Sequence, residues 1–414
     1  MLFLYRLGIA VFSLLMRIAA FWHPKAKLWV QGRQHLLGRI ARETQGWDSS
    51  AWFHFASLGE FEQGRPVMEA LKKARPELKI VVTFFSPSGY EIRKNYTGAD
   101  RVFYLPTDTP QIAATFIRLI KPEMAIFTKY EYWFFYFRQL HRQGIPLYMI
   151  SSIFRPDQVF FKWYGSLHRQ MLGFVQQFFV QNEESKALLA QLGQQNVTVA
   201  GDTRFDRVAE LAVNHRDLPE VAAFAGKSKV LVAGSTWPED ELLLATLLEQ
   251  QPDWKMIIAP HEVDEAHIQE LHKRFPEGHA IRYSELQTPN SEPTSQKREH
   301  RTLIIDTIGL LSSLYAYGDI AYIGGGFGKG IHNTLEAAAY GIPVIFGPNY
   351  EKFQEAKDLI SEGAGFEISN AEDLAFTFQK LAIANNCKKA GTIARQYVQS
   401  RTGATELILQ ELQK

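Results

Sequence analysis

From Ala51 onward the chain repeats one pattern: a short run rich in Val, Ile and Phe, a longer amphipathic segment, then another run. Runs that stay apolar at every position belong to strands buried on both faces, and a helix-length segment between them is what a parallel βαβ crossover needs. In the first half "AWFHFAS", "KIVVTFF", "RVFYLP", "EMAIFT", "PLYMIS", "QFFVQN" and "VTVAG" read as strands, with helices such as Gly64 to Ala74 and Pro110 to Ile120 between them. The pattern lapses over "RVAELAVNHRDLPEVAAFAGK", which reads as a connector, and restarts with "KVLVAGS", "WKMIIAP", "TLIIDT", "DIAYIGGG" and "PVIFG". The polar stretch from Ser284 to Arg301 has no periodicity and reads as an exposed loop. A chain of 414 residues exceeds one ordinary core. The expectation is an α/β protein of two Rossmann-like doubly wound domains, residues 43–207 and 228–392, facing a cleft. Residues 208–227 connect them. Ligands of open α/β sheets bind at the carboxyl ends of the strands, so the site is expected on strand-end loops of both halves.

Charge is balanced over the whole chain, at a formal +1, which removes any global attraction for nucleic acid. Locally it is not balanced. Residues 1–42 hold Arg6, Arg17, Lys25, Lys27, Arg33, Arg39 and Arg42 and no acidic residue, and the chain is almost wholly apolar up to Trp22. The uninterrupted part, Leu7 to Met16, is short for a bilayer-spanning helix. A cleaved signal peptide is the competing reading, but Arg17 stands where small residues should end the apolar core, and Phe21, Trp22 and His23 spoil the cleavage site. The segment therefore reads as a helix lying in an anionic membrane surface, with the rest of the chain on the cytoplasmic side. The single cysteine, Cys387, excludes an internal disulfide and a cysteine-rich metal site.

The strand ends carry the candidate chemistry. "YIGGGFGKGIHNTLEAAAYG" places Gly324, Gly325 and Gly326 after an apolar run and before a helix expected to begin near His332 or Asn333. Bare backbone and free helix amides there suit a phosphate or carboxylate, with Lys329, Gly330, His332, Asn333 and Glu336 around it; a tight turn without a ligand is the alternative. "FHFASLGEFEQG" sets Ser57, Gly59 and Glu60 just past the first strand, where a carboxylate can serve as a general base or merely complement a helix dipole. Glu131 lies among the aromatics of "FTKYEYWFFYFRQ" and needs a partner or a substrate. Weaker candidates at other strand ends are Ser86 and Ser88, Arg204, Ser235 and Thr236, His261, and Asp306 with Gly309. The chain holds no Asp-x-Asp, no His-Glu-x-x-His and no P-loop, so the sequence gives no metal site and no kinase or dehydrogenase fingerprint.

In order and spacing, "SLGE", "TFFSPSGY", "YLPTDTP", "EYW", "AGDTRFD", "AGST" and "GGGFGKGIHNTLEAAAYGIPVIFGPNYEKFQEA" resemble the 3-deoxy-D-manno-octulosonic acid (Kdo) transferases of lipopolysaccharide synthesis. The resemblance implies a GT-B glycosyltransferase fold with a membrane-associated N-terminal helix and a C-terminal helix over 393–414 that crosses back to the first domain, CMP-Kdo as donor, a lipid A precursor as acceptor, and the cytoplasmic face of the bacterial inner membrane as location. It implies no cofactor and no metal. Glu60 falls on the family's catalytic base, which would take the proton of a glucosamine hydroxyl as CMP leaves with inversion. Ser57, Gly59, Ser86, Ser88 and Glu131 fall on the acceptor side. Arg204, Ser235, Thr236, His261, Asp306, Gly309, Gly325, Gly326, Lys329, Gly330, His332, Asn333 and Glu336 fall on the donor side. The chain departs from the family pattern at Lys129 and Phe134, where Glu and Pro are usual, at His261, which lacks a preceding Arg, and at Arg204, where Lys is usual. Another GT-B envelope transferase using a nucleotide-diphosphate sugar, or a noncatalytic nucleotide-binding protein at the membrane, shares the same fold expectation.

Overall fold

The apolar runs become strands. The computed structural model describes residues 1–286 and 300–414, which divide into two units, 1–206 with 402–414 and 207–401. In the first unit β1 (Ser50–Phe55), β2 (Lys79–Phe84), β3 (Arg101–Tyr104), β4 (Pro122–Thr128), β5 (Leu147–Ser152), β6 (Gln177–Val180) and β7 (Val197–Val199) form a sheet of order β3-β2-β1-β4-β5-β6-β7. The second unit holds β8 (Lys229–Thr236), β9 (Trp254–Pro260), β10 (Ala280–Arg282), β11 (Thr302–Ile304), β12 (Ile320–Ile323), β13 (Val344–Phe346) and β14 (Gly365–Glu367), in the order β10-β11-β9-β8-β12-β13-β14. All pairings are parallel.

Each face of the first sheet has its own core, because successive side chains of a strand point opposite ways. Ala51, Phe53 and Phe55 of β1 pack with Val67, Met68 and Leu71 of the helix Leu58–Ala74, while Trp52 packs on the other face with Phe116, Phe127 and Tyr136. In both sheets the strand order reverses near the middle, at β1/β4 and at β8/β12, and in the second sheet β10 and β11 are also exchanged at one edge. Loops diverge at such a switch point and leave a crevice at the carboxyl ends. Glu60 and Glu131 follow β1 and β4; Ser235 ends β8 and Gly324 follows β12.

Several expectations shift in detail. The helix expected from Gly64 begins six residues earlier, at Leu58, with Leu58 and Phe61 packed in the core and Gly59, Glu60, Glu62 and Gln63 breaking up the apolar pattern between them and Val67. The stretch read as a connector holds two helices, Arg204–Val213 and Pro219–Ala225, and Ser284 belongs to the short helix Tyr283–Leu286. Residues 287–299 of the expected loop lie outside the described residues.

The N-terminal helix Leu2–Ala19 has a mean hydropathy of 1.8 and no buried residue. It rests on loops that follow β2, β3 and β4: the Tyr5 hydroxyl donates to Asp108 at 2.5 Å, the Tyr5 ring meets Phe134 and Phe135, and Phe12 meets Trp29 edge-on and touches Phe85. Its half-buried positions, Leu2, Tyr5, Ile9, Ser13 and Met16, recur every three or four residues and form one face; Phe3, Leu4, Leu7, Val11, Leu14, Leu15 and Ile18 are exposed.

The last helix, Ala404–Leu412, returns to the first unit and buries Ile408 and Leu412 beside Met68 and Leu71. Asp206 caps its start: the carboxylate accepts from the Gly403 amide at 2.5 Å and from the Thr405 amide and hydroxyl at 2.7 Å each. Replacing Asp206 by Ala leaves these donors without a carboxylate and should destabilise the first unit by about 1 kcal/mol. A lowered urea midpoint with an unchanged slope is the expected readout.

Candidate active site

At the first switch point the two carboxylates are held in opposite ways. Glu131 is clamped. Its Oε2 accepts from Trp133 Nε1 at 2.9 Å and lies 3.0 Å from Nε2 of His54, whose ring is fully buried. His54 Nδ1 lies 2.9 Å from the Thr83 hydroxyl, which itself accepts from Trp52 Nε1 at 2.8 Å. An indole N–H can only donate, so the Thr83 oxygen is its acceptor, and the Thr83 hydroxyl has both His54 Nδ1 and the Phe53 carbonyl, at 3.4 Å, within reach of its proton. An ionised carboxylate can only accept, so the hydrogen shared with Glu131 sits on Nε2 of His54. His54, Thr83 and Trp52 escaped the sequence reading because "AWFHFAS" and "KIVVTFF" look like plain buried strands.

Glu60 is tethered only at one point. It lies at the third position of the helix Leu58–Ala74, and Ser57, at the N-cap, donates its hydroxyl to Glu60 Oε2 instead of accepting from the helix backbone. The carboxylate is therefore not serving as a reciprocal cap. Among the described residues it has no other hydrogen-bond partner and no cation. A Cβ placed on Gly59 would meet only the Ser57 hydroxyl, at 3.9 Å, so no neighbouring side chain explains a glycine within this helix. Ser86 and Ser88 stand beside this turn: the Ser86 amide donates to the Ala56 carbonyl at 2.8 Å, and the two hydroxyls bond each other at 2.9 Å.

Arg204 belongs to the first unit and pairs with buried Asp202 through Nε at 2.9 Å and a terminal nitrogen at 2.8 Å. Burial alone would raise the Asp202 carboxyl, but the charge and hydrogen bonds of Arg204 outweigh it and hold the group below its usual range.

In the second unit the bare backbone of the Gly-rich loop is filled by the chain itself. A Cβ on Gly324 would lie 2.3 Å from the Ser235 carbonyl oxygen, and one on Gly326 would lie 2.5 Å from the Gly347 Cα. The Gly324 amide donates to the Gly234 carbonyl at 2.9 Å, and the Gly325 amide to Asp240 at 2.8 Å. Asp240, also bound by the Tyr322 hydroxyl at 2.7 Å and the Trp237 amide at 2.9 Å, ties this loop to the helix Pro238–Glu249 that follows β8. The helix expected near His332 starts at Leu335 and spans five residues, because the Asn333 side chain turns back to accept from the Leu335 amide at 3.1 Å. Asn333 and Glu336 do meet, at 2.9 Å.

Around the loop, His261 stacks on His332 and on Trp237, with ring centres 4.4 and 4.8 Å away, and Trp237 Nε1 donates to His332 Nε2 at 3.2 Å. Burial and the neighbouring His261 push the His332 imidazole down to about 4. Ser235 is held at φ +54, a left-handed conformation that costs a non-glycine residue about 1–2 kcal/mol, and Lys129 (φ +57) and Ser151 (φ +49) are held likewise at strand ends of the first unit. Lys329 and Gly330 lie on the outer turn of the loop, where Lys329 is exposed and forms no ion pair among the described residues. The other residues singled out at strand ends turn inward. Thr236 donates to Glu241 at 3.2 Å, while Asp306 accepts from the Ser284 amide and hydroxyl; Gly309, at φ +91, borders open space. Among the described residues no three His, Cys, Asp or Glu side chains gather as a metal site.

Two outcomes are expected. Gly326→Ala forces backbone apart and should destabilise the second unit by about 1–3 kcal/mol, seen as an earlier urea transition. His332 binds a proton near pH 4 when folded but near 6.5 when unfolded, so stability falls as pH drops from about 6.5 toward 4. A His332→Gln variant should lose less stability between pH 7 and pH 5 than the parent does.

The family model for 3-deoxy-D-manno-octulosonic-acid transferase (kdotransferase) matches residues 31–207. The 3-deoxy-D-manno-octulosonic acid transferase of Chlamydophila psittaci is 30% identical over 78% of this chain and 75% of its own length. That of Aquifex aeolicus is 28% identical over 80% and 85%, and that of Bordetella pertussis 26% over 87% and 86%. Among solved structures, the UDP-GlcNAc 2-epimerase of Neisseria meningitidis bound to UDP-GlcNAc aligns with a TM-score of 0.59 at 16% identity, covering 88% of this chain and 99% of that one. MurG of Acinetobacter baumannii aligns with a TM-score of 0.53 at 12% identity, covering 88% and 99%. With two parallel seven-stranded sheets in the GT-B arrangement, the chain belongs to the 3-deoxy-D-manno-octulosonic acid transferase family.

Proposed function

We propose that the chain transfers Kdo from CMP-Kdo to a glucosamine hydroxyl of a lipid A precursor, lipid IVA, at the cytoplasmic face of the bacterial inner membrane, with Glu60 as general base. Family membership supports the sugar. The observation that carries the base is the Glu60 carboxylate at the β1/β4 switch point, partly exposed and bonded only to the Ser57 hydroxyl. In the proposed step the acceptor O–H gives its proton to Glu60 and its oxygen bonds to the anomeric carbon of Kdo. The bond from that carbon to the CMP phosphate breaks, its electron pair leaves with CMP, and the anomeric configuration inverts. Glu131 acts as a positioning group. His54 and Trp133 hold its Oε2, which leaves Oε1 to accept from an acceptor hydroxyl.

The donor is assigned to the second unit. Lys329, His332 and Asn333 stand around the Gly-rich loop as candidates for the carboxylate and phosphate of CMP-Kdo, and charge donated there stabilises the leaving phosphate. CMP leaves as a monophosphate, and the step as written uses no cofactor and no metal. The exposed apolar face of Leu2–Ala19 and the basic residues after it support attachment at a membrane surface.

Mass spectrometry of the purified protein with CMP-Kdo and tetra-acylated lipid A precursor should show addition of Kdo mass. Glu60→Gln should slow the transfer by about a hundredfold or more while leaving CMP binding intact. A protein that folds and binds CMP but transfers nothing overturns the assignment, and an unimpaired Glu60→Gln overturns the base. Gly59→Ala should stabilise its helix by up to about 1 kcal/mol yet reduce transfer, if the open space above Gly59 admits the acceptor. Unchanged transfer would make Gly59 irrelevant to substrate.

A further inference from the structure

A cavity of about 880 Å³ lies between the N-terminal helix, the helix Pro24–Gln31 with the residues just after it, and the loop that follows β3, all within the first unit. Its walls bring three arginines together, Arg6, Arg17 and Arg33, with one carboxylate, Asp108. That carboxylate is already occupied by the Tyr5 hydroxyl at 2.5 Å and by the amides of Phe135 and Tyr136 at 3.0 Å each. Arg33 donates only to neutral carbonyl oxygens, those of Leu105 and Phe85 at 2.9 Å and of Trp29 at 3.2 Å, and stacks on the Trp29 ring at 4.0 Å. Burial pulls its guanidinium down to about 9, which still leaves it charged at neutral pH. Arg6 lies over the Phe135 ring, and among the described residues none of the three arginines pairs with a carboxylate.

Two neutral donors of the same walls are also unused. Trp29 is only 6% exposed, and among the described residues its indole N–H has no acceptor and the buried Ser13 hydroxyl has no partner. Buried donors without acceptors are rare in native structures, and these two stand beside uncompensated positive charge. An oxyanion satisfies both deficits at once. The rest of the wall mixes polar Gln34, Thr107, Thr109 and Gln111 with apolar Ile9, Val30 and Ile112, and the outer face of the same N-terminal helix exposes Phe3, Leu7 and Leu14. A molecule with an anionic head and an apolar tail matches that combination.

We propose that this cavity binds the phosphate of an anionic lipid headgroup, with Arg6 and Arg17 as its cations and the Trp29 indole and Ser13 hydroxyl as its neutral donors. Arg33 fixes the floor beneath it. The site does not depend on Kdo transfer, and its test contains no CMP-Kdo. The phosphate can come from a bulk phospholipid or from a phosphorylated acceptor lipid.

Calorimetric titration of the full chain with dioctanoyl phosphatidylglycerol, kept below micelle formation, should show saturable binding, and dioctanoyl phosphatidylcholine should bind more weakly. The double variant Arg6→Gln/Arg17→Gln should lose about tenfold or more in affinity. Trp29→Phe, which keeps the ring and removes the N–H, should lose several-fold. Lys25→Gln/Lys27→Gln, which removes the same charge from exposed positions outside the cavity, should stay within about twofold of the parent. If phosphatidylglycerol is silent and a phosphorylated glucosamine disaccharide lipid shows the same pattern of variants, the site holds an acceptor phosphate. No saturable binding of either probe, or equal weakening by the lysine and arginine pairs, would overturn the proposal.

Discussion

A parallel strand buried on both faces can place polar side chains in water only at its end. Both sheets obey that constraint: β1 is buried throughout, and the middle strands of the second sheet, β9 and β12, are nearly so. Chemistry is therefore confined to the loops, and the loops part where the strand order reverses. At β1/β4 this leaves two carboxylates on the loops after neighbouring strands, and at β8/β12 it sets the strained Ser235 against Gly324. The apolar core decides where the site can be before any site residue is chosen.

The exception inside the first sheet is the run Trp52, Thr83, His54, Glu131. Fully buried hydroxyl, indole and imidazole groups would each be a liability alone. Here each donor meets an acceptor in turn, and the only outlet is a carboxylate at the crevice. The result is a carboxylate whose direction is set by the core. Glu60, on its single serine tether, keeps the freedom that a proton acceptor needs as bonds rearrange. In the proposed reaction one rigid and one free carboxylate, on loops that part at the same switch point, divide the labour between holding a substrate and taking its proton.

Much of this was legible in the sequence, for a physical reason. Long apolar runs announce central strands, and the strands read from the sequence include every central one of both sheets. The two that escaped, β10 and β14, are edge strands of three residues each, "AIR" and "GFE", too short to show a period. The carboxylates of the candidate site were visible because charge just past an apolar run is conspicuous. His54 and Thr83 were not, because a polar residue inside an apolar run gives no sign of the partner it meets on a neighbouring strand. Nor was the strain at Lys129, Ser151 and Ser235, since backbone angles of residues other than glycine and proline leave no mark in composition.

The glycine cluster shows how a correct signal can carry a different cause. Three glycines after a strand do mean that something approaches the backbone closely. In this chain the approaching atoms are its own: the Ser235 carbonyl against Gly324, Gly347 against Gly326, and the Asp240 carboxylate on the Gly325 amide. With those amides spent and the following helix only five residues long, a ligand at this strand end meets side chains instead of an open helix terminus. In the proposed donor site recognition falls to groups on the outer turn and its neighbours, Lys329, His332 and Asn333, held in place by a loop that the glycines allow to pack tightly. Rigid backbone and varied side chains make specificity at this site a matter of a few substitutable residues, while the fold beneath it tolerates none at Gly324 or Gly326 without displacing its own main chain.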